Sequence, residues 1–213
     1  MGRPGRTGTK TGEAPSRREQ IISTTIELLS RHGLPGTTTA RIAREVGISE
    51  PALYRHFRNK EEILLAALDE VSARLLQLMN EAASSERLVA KKLHRMSAAL
   101  YEFVMSHPEE AIALFEVFSA SRDNHLKQVL QNRFLGSLAI VEEMLEQGIR
   151  QGELRPDIDV ALTAWKVVSL GITLNFAAML GLSHVLTEER ALSAVDQLLE
   201  DIVLQEEERS EKG

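Results

Sequence analysis

The sequence predicts an all-α protein, with an N-terminal three-helix domain built around a helix-turn-helix and a larger helical domain behind it. Three observations carry that expectation. Apolar residues recur at three-to-four spacing from Arg17 onward, which puts them on one face of a helix. Helix-opening and helix-closing residues punctuate the chain repeatedly. No stretch shows the strict alternation, bounded by turn residues, that marks a strand.

Residues 1–16 (MGRPGRTGTKTGEAPS) are rich in Gly, Thr and Arg and offer almost nothing to bury, so a disordered basic arm is expected. Ile21, Ile22, Thr25, Ile26 and Leu29 then form one face of a first helix, which Gly33 and Pro35 bring to a stop. Thr38 is a natural N-cap for a short helix carrying Ile42, Ala43 and Val46. Gly47 suits a tight turn, and Ser49 caps another short helix with Pro51 in its first turn. After Phe57, Asn59 and Glu62 have the spacing of a capping box that opens a long helix through Leu78. Ser84-Ser85 is the expected start of the next helix, ending at His107-Pro108. Helices follow over about 108–119 and 123–151. Asp157 or Asp159 opens an apolar helix ending at Gly181, and Thr187 opens a last one with a polar tail.

Charge is unevenly distributed. Residues 1–60 carry 11 Lys/Arg against 5 Asp/Glu, and the rest carry 14 against 26, so +6 and −12 make up the net −6. The basic end suits a polyanion, which the remainder would repel. There is no cysteine, so disulfides and thiolate metal sites are excluded. The N-terminus has no apolar run of signal-peptide length, which leads to an expected cytoplasmic location. The stretch 160–182 is apolar but contains Lys166 and Asn175, and no membrane association is expected. Phosphate-loop, nucleophile-elbow and zinc-helix motifs are all missing, and the six His are scattered. No enzyme activity, cofactor or metal is expected.

The densest signal is TTARIAREVGISEPALYRHFRNKEEIL, residues 38–64. A DNA-reading helix must be short and must carry small or polar residues near its start, so that backbone approaches base edges. Ser49, Glu50, Pro51 and Ala52 meet that need, while Leu53 and Phe57 supply the side that docks on Ile42 and Val46. Tyr54, Arg55, His56 and Lys60 are able to reach phosphate. Residues 17–68 resemble the N-terminal domain of the tetracycline-repressor (TetR) family, most specifically in Gly47-Ile48-Ser49, Leu53-Tyr54-Arg55-His56-Phe57 and Lys60. The resemblance implies a DNA-binding domain over 17–62 with its helix-turn-helix at 38–57, and a helical effector-binding and dimerisation domain over 63–208. Candidate DNA-binding residues are Arg17, Arg18, Thr38, Thr39, Ser49, Glu50, Pro51, Ala52, Tyr54, Arg55, His56 and Lys60. Pro51 departs from the family's usual Gly or Ala and removes one N–H from the recognition turn.

By the same resemblance the protein is a homodimer on a palindromic double-stranded operator, a repressor released by a small effector, with its interface on the helices near 159–180 and 188–205. The small and branched residues Ala161, Ala164, Val168, Gly171 and Ala178 allow close helix approach. Phe103, Phe115, Phe118, Phe134, Met144, Trp165, Asn175 and Phe176 are candidate lining for an apolar effector pocket. The alternative is a DNA-bound architectural or division-control factor that acts through a protein partner.

Overall fold

The computed structural model describes residues 14–119 and 124–204, and everything below concerns those. Nine helices occur among them: α1 (Arg17–Gly36), α2 (Thr39–Val46), α3 (Glu50–Leu53), α4 (Lys60–Ala83), α5 (Val89–Ser106), α6 (Pro108–Ser119), α7 (Asn124–Arg150), α8 (Val160–Met179) and α9 (Glu188–Glu200). The only β feature among the described residues is one isolated antiparallel bridge, Leu154 to Val203. Residues 1–13, which hold most of the expected basic arm, lie outside the described residues.

Most helix starts are set by the residue immediately before them. The side chains of Ser16, Thr38, Ser49, Asn59, Asp159 and Thr187 each accept a hydrogen bond from a backbone N–H in the first turn, satisfying donors that have no partner within the helix. At Asn59 only half the expected capping box forms. Asn59 Oδ1 accepts from Glu62 N at 2.8 Å, but the Glu62 carboxylate takes the N–H of Arg58, at 2.6 Å. Gly47 closes α2 at φ 77°, a conformation that glycine takes without strain. Inside α1, Gly33 sits at φ 63° and breaks the helix, with Leu34-Pro35-Gly36 continuing in a new direction.

Four clusters of buried side chains hold the helices together. Ile21, Ile22, Ile42, Leu53, Phe57 and Ile63 unite α1, α2, α3 and the start of α4 into the N-terminal unit. Leu29, Leu64, Leu68, Ala113 and Val117 join that unit to α6. Val71, Phe103, Val104, Ala111 and Leu174 bind α4, α5, α6 and α8. Val89, Leu93, Leu145, Leu154, Ala164, Val195 and Leu199 bind α5, α7, α8 and α9. Because α4 and α1 both belong to more than one cluster, the N-terminal unit is packed against the helical domain rather than strung beside it.

The fifth helix corrects the expected start at Ser84-Ser85. Ser84 instead closes α4, and α5 begins at Val89 with Leu88 at its N-cap and no capping side chain of its own. Glu153, 4% exposed, supplies the cap from the far end of α7: its carboxylate accepts from Val89 N at 2.6 Å and Ala90 N at 2.8 Å. The segment bearing Glu153 is pinned in turn by Leu204 N to Glu153 O and Arg155 N to Ile202 O, both 2.9 Å. Charge-assisted hydrogen bonds of this kind contribute about 1.5–3 kcal/mol each, and their loss leaves buried donors unpaired. Glu153→Ala should therefore lower unfolding free energy by roughly 2–4 kcal/mol, measured by urea denaturation, with no change in the fold of residues 38–57.

Candidate nucleic-acid interface

The recognition unit is only four helical residues long, far too short to be stable alone. It persists because Leu53 and Phe57, 0% and 2% exposed, are sunk into the α1–α2–α4 core. That anchoring turns the opposite side outward, where Ser49, Pro51, Tyr54, Arg55 and His56 are exposed. Thr38 is exposed at the mouth of α2 while its hydroxyl caps Arg41 N at 3.2 Å. Ala52 is half-buried under the turn. The polar residues picked out for phosphate and base contact in this stretch thus share one surface.

Within that surface the structure adds couplings that cross from one element to another. The Thr39 hydroxyl donates to Glu50 Oε1 at 2.5 Å, and Tyr54 OH lies 3.5 Å from Thr39 Oγ1. Glu50 is therefore half-buried and tied to α2, so its carboxylate fixes the angle between α2 and α3 as well as facing outward. Arg17 donates to the Val46 carbonyl at 3.3 Å, closing α2 against α1. Arg18 places its guanidinium 4.9 Å from the centre of the Phe57 ring, a cation–π contact. Both arginines remain exposed at the edge of the same surface.

Lys60 has a different setting from the other cations. Its Nζ donates to the Leu34 carbonyl at 3.3 Å, and burial lowers its pKa below the ordinary lysine range. Lys60 thus spans from the start of α4 to the link between α1 and α2. The same link receives Glu116 of α6, whose Oε2 accepts from Leu34 N at 2.9 Å. No sequence pattern flags Glu116, because its partner is 82 residues away.

Residues 21–67 match the tetR family of bacterial regulatory proteins. That match runs from within α1 into α4, over the N-terminal unit. It is 24% identical over 144 residues to the fatty acid metabolism regulator protein of Bacillus subtilis, covering 67% of this chain and 73% of that protein. It is also 33% identical over 93 residues to the nucleoid occlusion factor SlmA of Pasteurella multocida, covering 43% of this chain and 47% of that one. This second alignment spans less than half of SlmA. Among solved structures, the fold matches the transcriptional regulator FadR of Bacillus subtilis in complex with stearoyl-CoA at TM-score 0.72 and 22% identity, over 85% of this chain and 95% of that one. The ketosteroid transcriptional regulator KstR2 of Mycobacterium tuberculosis matches at TM-score 0.62 and 21% identity, over 91% and 98%.

The candidate effector residues lie away from the exposed surface of residues 38–60. Phe103 is buried beneath Arg74, whose guanidinium lies 5.3 Å from the ring centre, and stacks on His107 at 5.2 Å. Phe115 meets Phe176 at 5.9 Å, and Phe134 meets Trp165 at 5.2 Å. Asn175 satisfies itself on Gly171 O at 2.8 Å. Met144 is half-buried beside α7 and α8, and the Phe118 side chain lies outside the described residues. These residues form separate pairs rather than one cavity wall. Between α1, α4 and α6, the apolar side chains of Ile26, Leu29, Ala67, Val71, Leu114 and Val117 pack around a gap too small to hold a water molecule. Beside Phe103, Glu110 is buried at the start of α6 and ion-paired to Arg74 of α4, a pair that no sequence spacing reveals.

Two outcomes follow for the DNA-facing surface. Arg55→Ala should weaken binding about equally for all sequences and reduce the salt slope by roughly one phosphate contact per subunit. Glu50→Ala, which also removes the Thr39 bond that sets the α2–α3 angle, should weaken binding to all sequences as well as relax preference at one base pair, by about 1–3 kcal/mol of discrimination. Fluorescence anisotropy over a panel of single-substituted duplexes at several salt concentrations measures both.

Proposed function

We propose that the protein is a homodimeric repressor that reads a palindromic operator through α3 and releases it when a small apolar molecule enters the helical domain. The observation that carries the DNA part is the buried seating of Leu53 and Phe57, which presents Ser49 to His56 as one exposed surface. Thr38, Tyr54, Arg55 and His56 serve as backbone contacts and Glu50 as the base-reading group, with Arg17 and Arg18 at the flank. The domain limits 17–62 and 63–208 follow from this division, with α4 running through the boundary.

The dimer is supported by α8. Leu162, Trp165, Ile172, Phe176 and Leu180 lie at three-to-four and seven spacing along it, each about half exposed. Leu135 and Ile140 of α7 are also about half exposed. Helix α8 is long and apolar enough to cross a membrane by length and composition, yet its other side is packed through Ala164, Leu174 and Ala177 into the bundle. A self-complementary stripe of this kind suits a second copy across a two-fold axis. Helix α9 contributes less than the expected interface on 188–205, because Val195 and Leu199 are spent on the intramolecular core.

The effector is supported by the likeness to FadR, which was solved with stearoyl-CoA, and by the wholly apolar packing between α4 and α6. Ligand pockets run to roughly 300 Å³ and more, and this gap does not hold even a water molecule, so α4 and α6 have to part to admit a ligand. The tight packing there also favours a second reading, a DNA-bound factor acting through a protein partner, in line with the SlmA alignment over 93 residues. Long-chain acyl-CoA distinguishes the two. On a duplex selected by the protein from a randomised pool, stearoyl-CoA should lower affinity about 5- to 150-fold; undiminished affinity favours the protein-partner reading. Trp165→Glu together with Ile172→Asp should convert the dimer to monomer in sedimentation velocity at micromolar concentration. Dimers that survive both charges would place the interface elsewhere.

A further inference from the structure

The break in α1 leaves Leu34 at the meeting point of three elements. Gly33 at φ 63° and ψ −178° interrupts the helical ladder, and a half-buried N–H needs another acceptor when that ladder is broken. Glu116 Oε2 of α6 provides it at 2.9 Å. The carbonyl of the same residue accepts from Lys60 Nζ of α4 at 3.3 Å and from Thr37 N at 3.2 Å. Thr37, fully buried, returns its hydroxyl to Gly33 O at 2.7 Å. The residue after it, Thr38, caps α2. The seat of the helix-turn-helix is therefore four residues from a peptide gripped by α6 and α4.

Glycine is required at 33 for two reasons. Its φ is one that other residues rarely adopt, and an added Cβ would stand 3.0 Å from Glu116 Oε2. The carboxylate thus approaches the main chain as closely as a side chain would allow. Ala113 and Val117 of α6 pack beside Leu29 and Leu34 of α1, so the contact is dry on one side. The remaining faces of α6 meet α4, α5 and α8, and Glu110 in its first turn is ion-paired to Arg74 of α4. Helix α6 therefore packs on α1 through apolar side chains and reaches the Leu34 peptide through one carboxylate.

We infer that Glu116 is a positioning residue for DNA binding, through which the placement of α6 sets the link between α1 and α2. When Glu116 accepts from Leu34 N, the link is held and α2 and α3 keep their angle to α1. A displacement of α6 along its axis withdraws the acceptor, frees the Leu34 peptide and loosens the seat of α2. This rests on the DNA-binding reading of residues 38–60. It differs from that reading in assigning control of the DNA surface to a residue that does not touch DNA.

The test uses the full chain and a duplex selected by the wild type from a randomised pool. E116A should weaken binding roughly tenfold or more, the loss expected from one hydrogen bond to a charged group. E116Q, which keeps an acceptor oxygen, should bind within about threefold of wild type by the same bond strength scale. In amide exchange followed by NMR, Leu34 N–H should exchange faster in E116A than in wild type or E116Q, while Leu93 and Leu145 in the helical core stay protected. Equal affinity and equal Leu34 protection in E116A would overturn the inference. So would E116Q falling as far as E116A, or E116A unfolding the whole chain, since either makes Glu116 a charge or stability residue. Failure of the wild type to select any duplex would instead overturn the DNA-binding reading, and the Leu34 exchange comparison would still decide whether Glu116 holds the link.

Discussion

Burial of Leu53 and Phe57 is the constraint on which the DNA-facing surface depends. A four-residue helix has too few internal hydrogen bonds to offset its own ordering entropy. Here that cost is met by two side chains locked among Ile21, Ile42 and Ile63. Once they are fixed, the direction of every other residue from Ser49 to His56 is fixed with them, because helical geometry leaves one face for the core and one for solvent. The surface polar groups need no further support to point the same way. What they do need is a constant angle between α2 and α3, and that comes from the Thr39–Glu50 bond and from Gly47 in the turn.

Above this unit the structure changes from local to distant control. Each helix of the N-terminal part is opened by its own cap, whereas α5 is opened by Glu153 across 64 residues and the α1–α2 link is held by Glu116 across 82. Carboxylates thus replace missing neighbours at two places where the chain's own backbone leaves donors unpaired. The helical domain is therefore joined to the DNA-facing unit by packing along α1, α4 and α6 and by a small number of directional bonds, so a modest shift of α6 reaches α2 without unfolding either part.

The extent to which this was legible in the sequence follows the same division. Caps at Thr38, Ser49, Asp159 and Thr187, the turn at Gly47 and the break near Gly33 are all readable, since cause and effect lie within a few residues. The helix-turn-helix surface was readable for that reason, and the family match to 21–67 agrees with it. The start of α5 was not, because its cap sits on another helix. Lys60 was readable as a cation near DNA, but its bond to Leu34 and its lowered pKa depend on where α1 ends in space. The aromatic residues of the helical domain were legible as apolar groups only. Composition does not say that Phe134 pairs with Trp165 and Phe115 with Phe176 in separate places, nor that one side of α8 is left uncovered.

The central claim joins two parts, a seated α3 and a two-fold pairing along α8, and only their combination fixes a spacing on DNA. Hydroxyl-radical footprinting on the selected duplex measures that spacing at single-nucleotide resolution. Two protected patches on one face of the duplex, related by a dyad and centred about one helical turn or a whole multiple of it apart, are the predicted result. A single unpaired patch, or uniform protection without register, would contradict it.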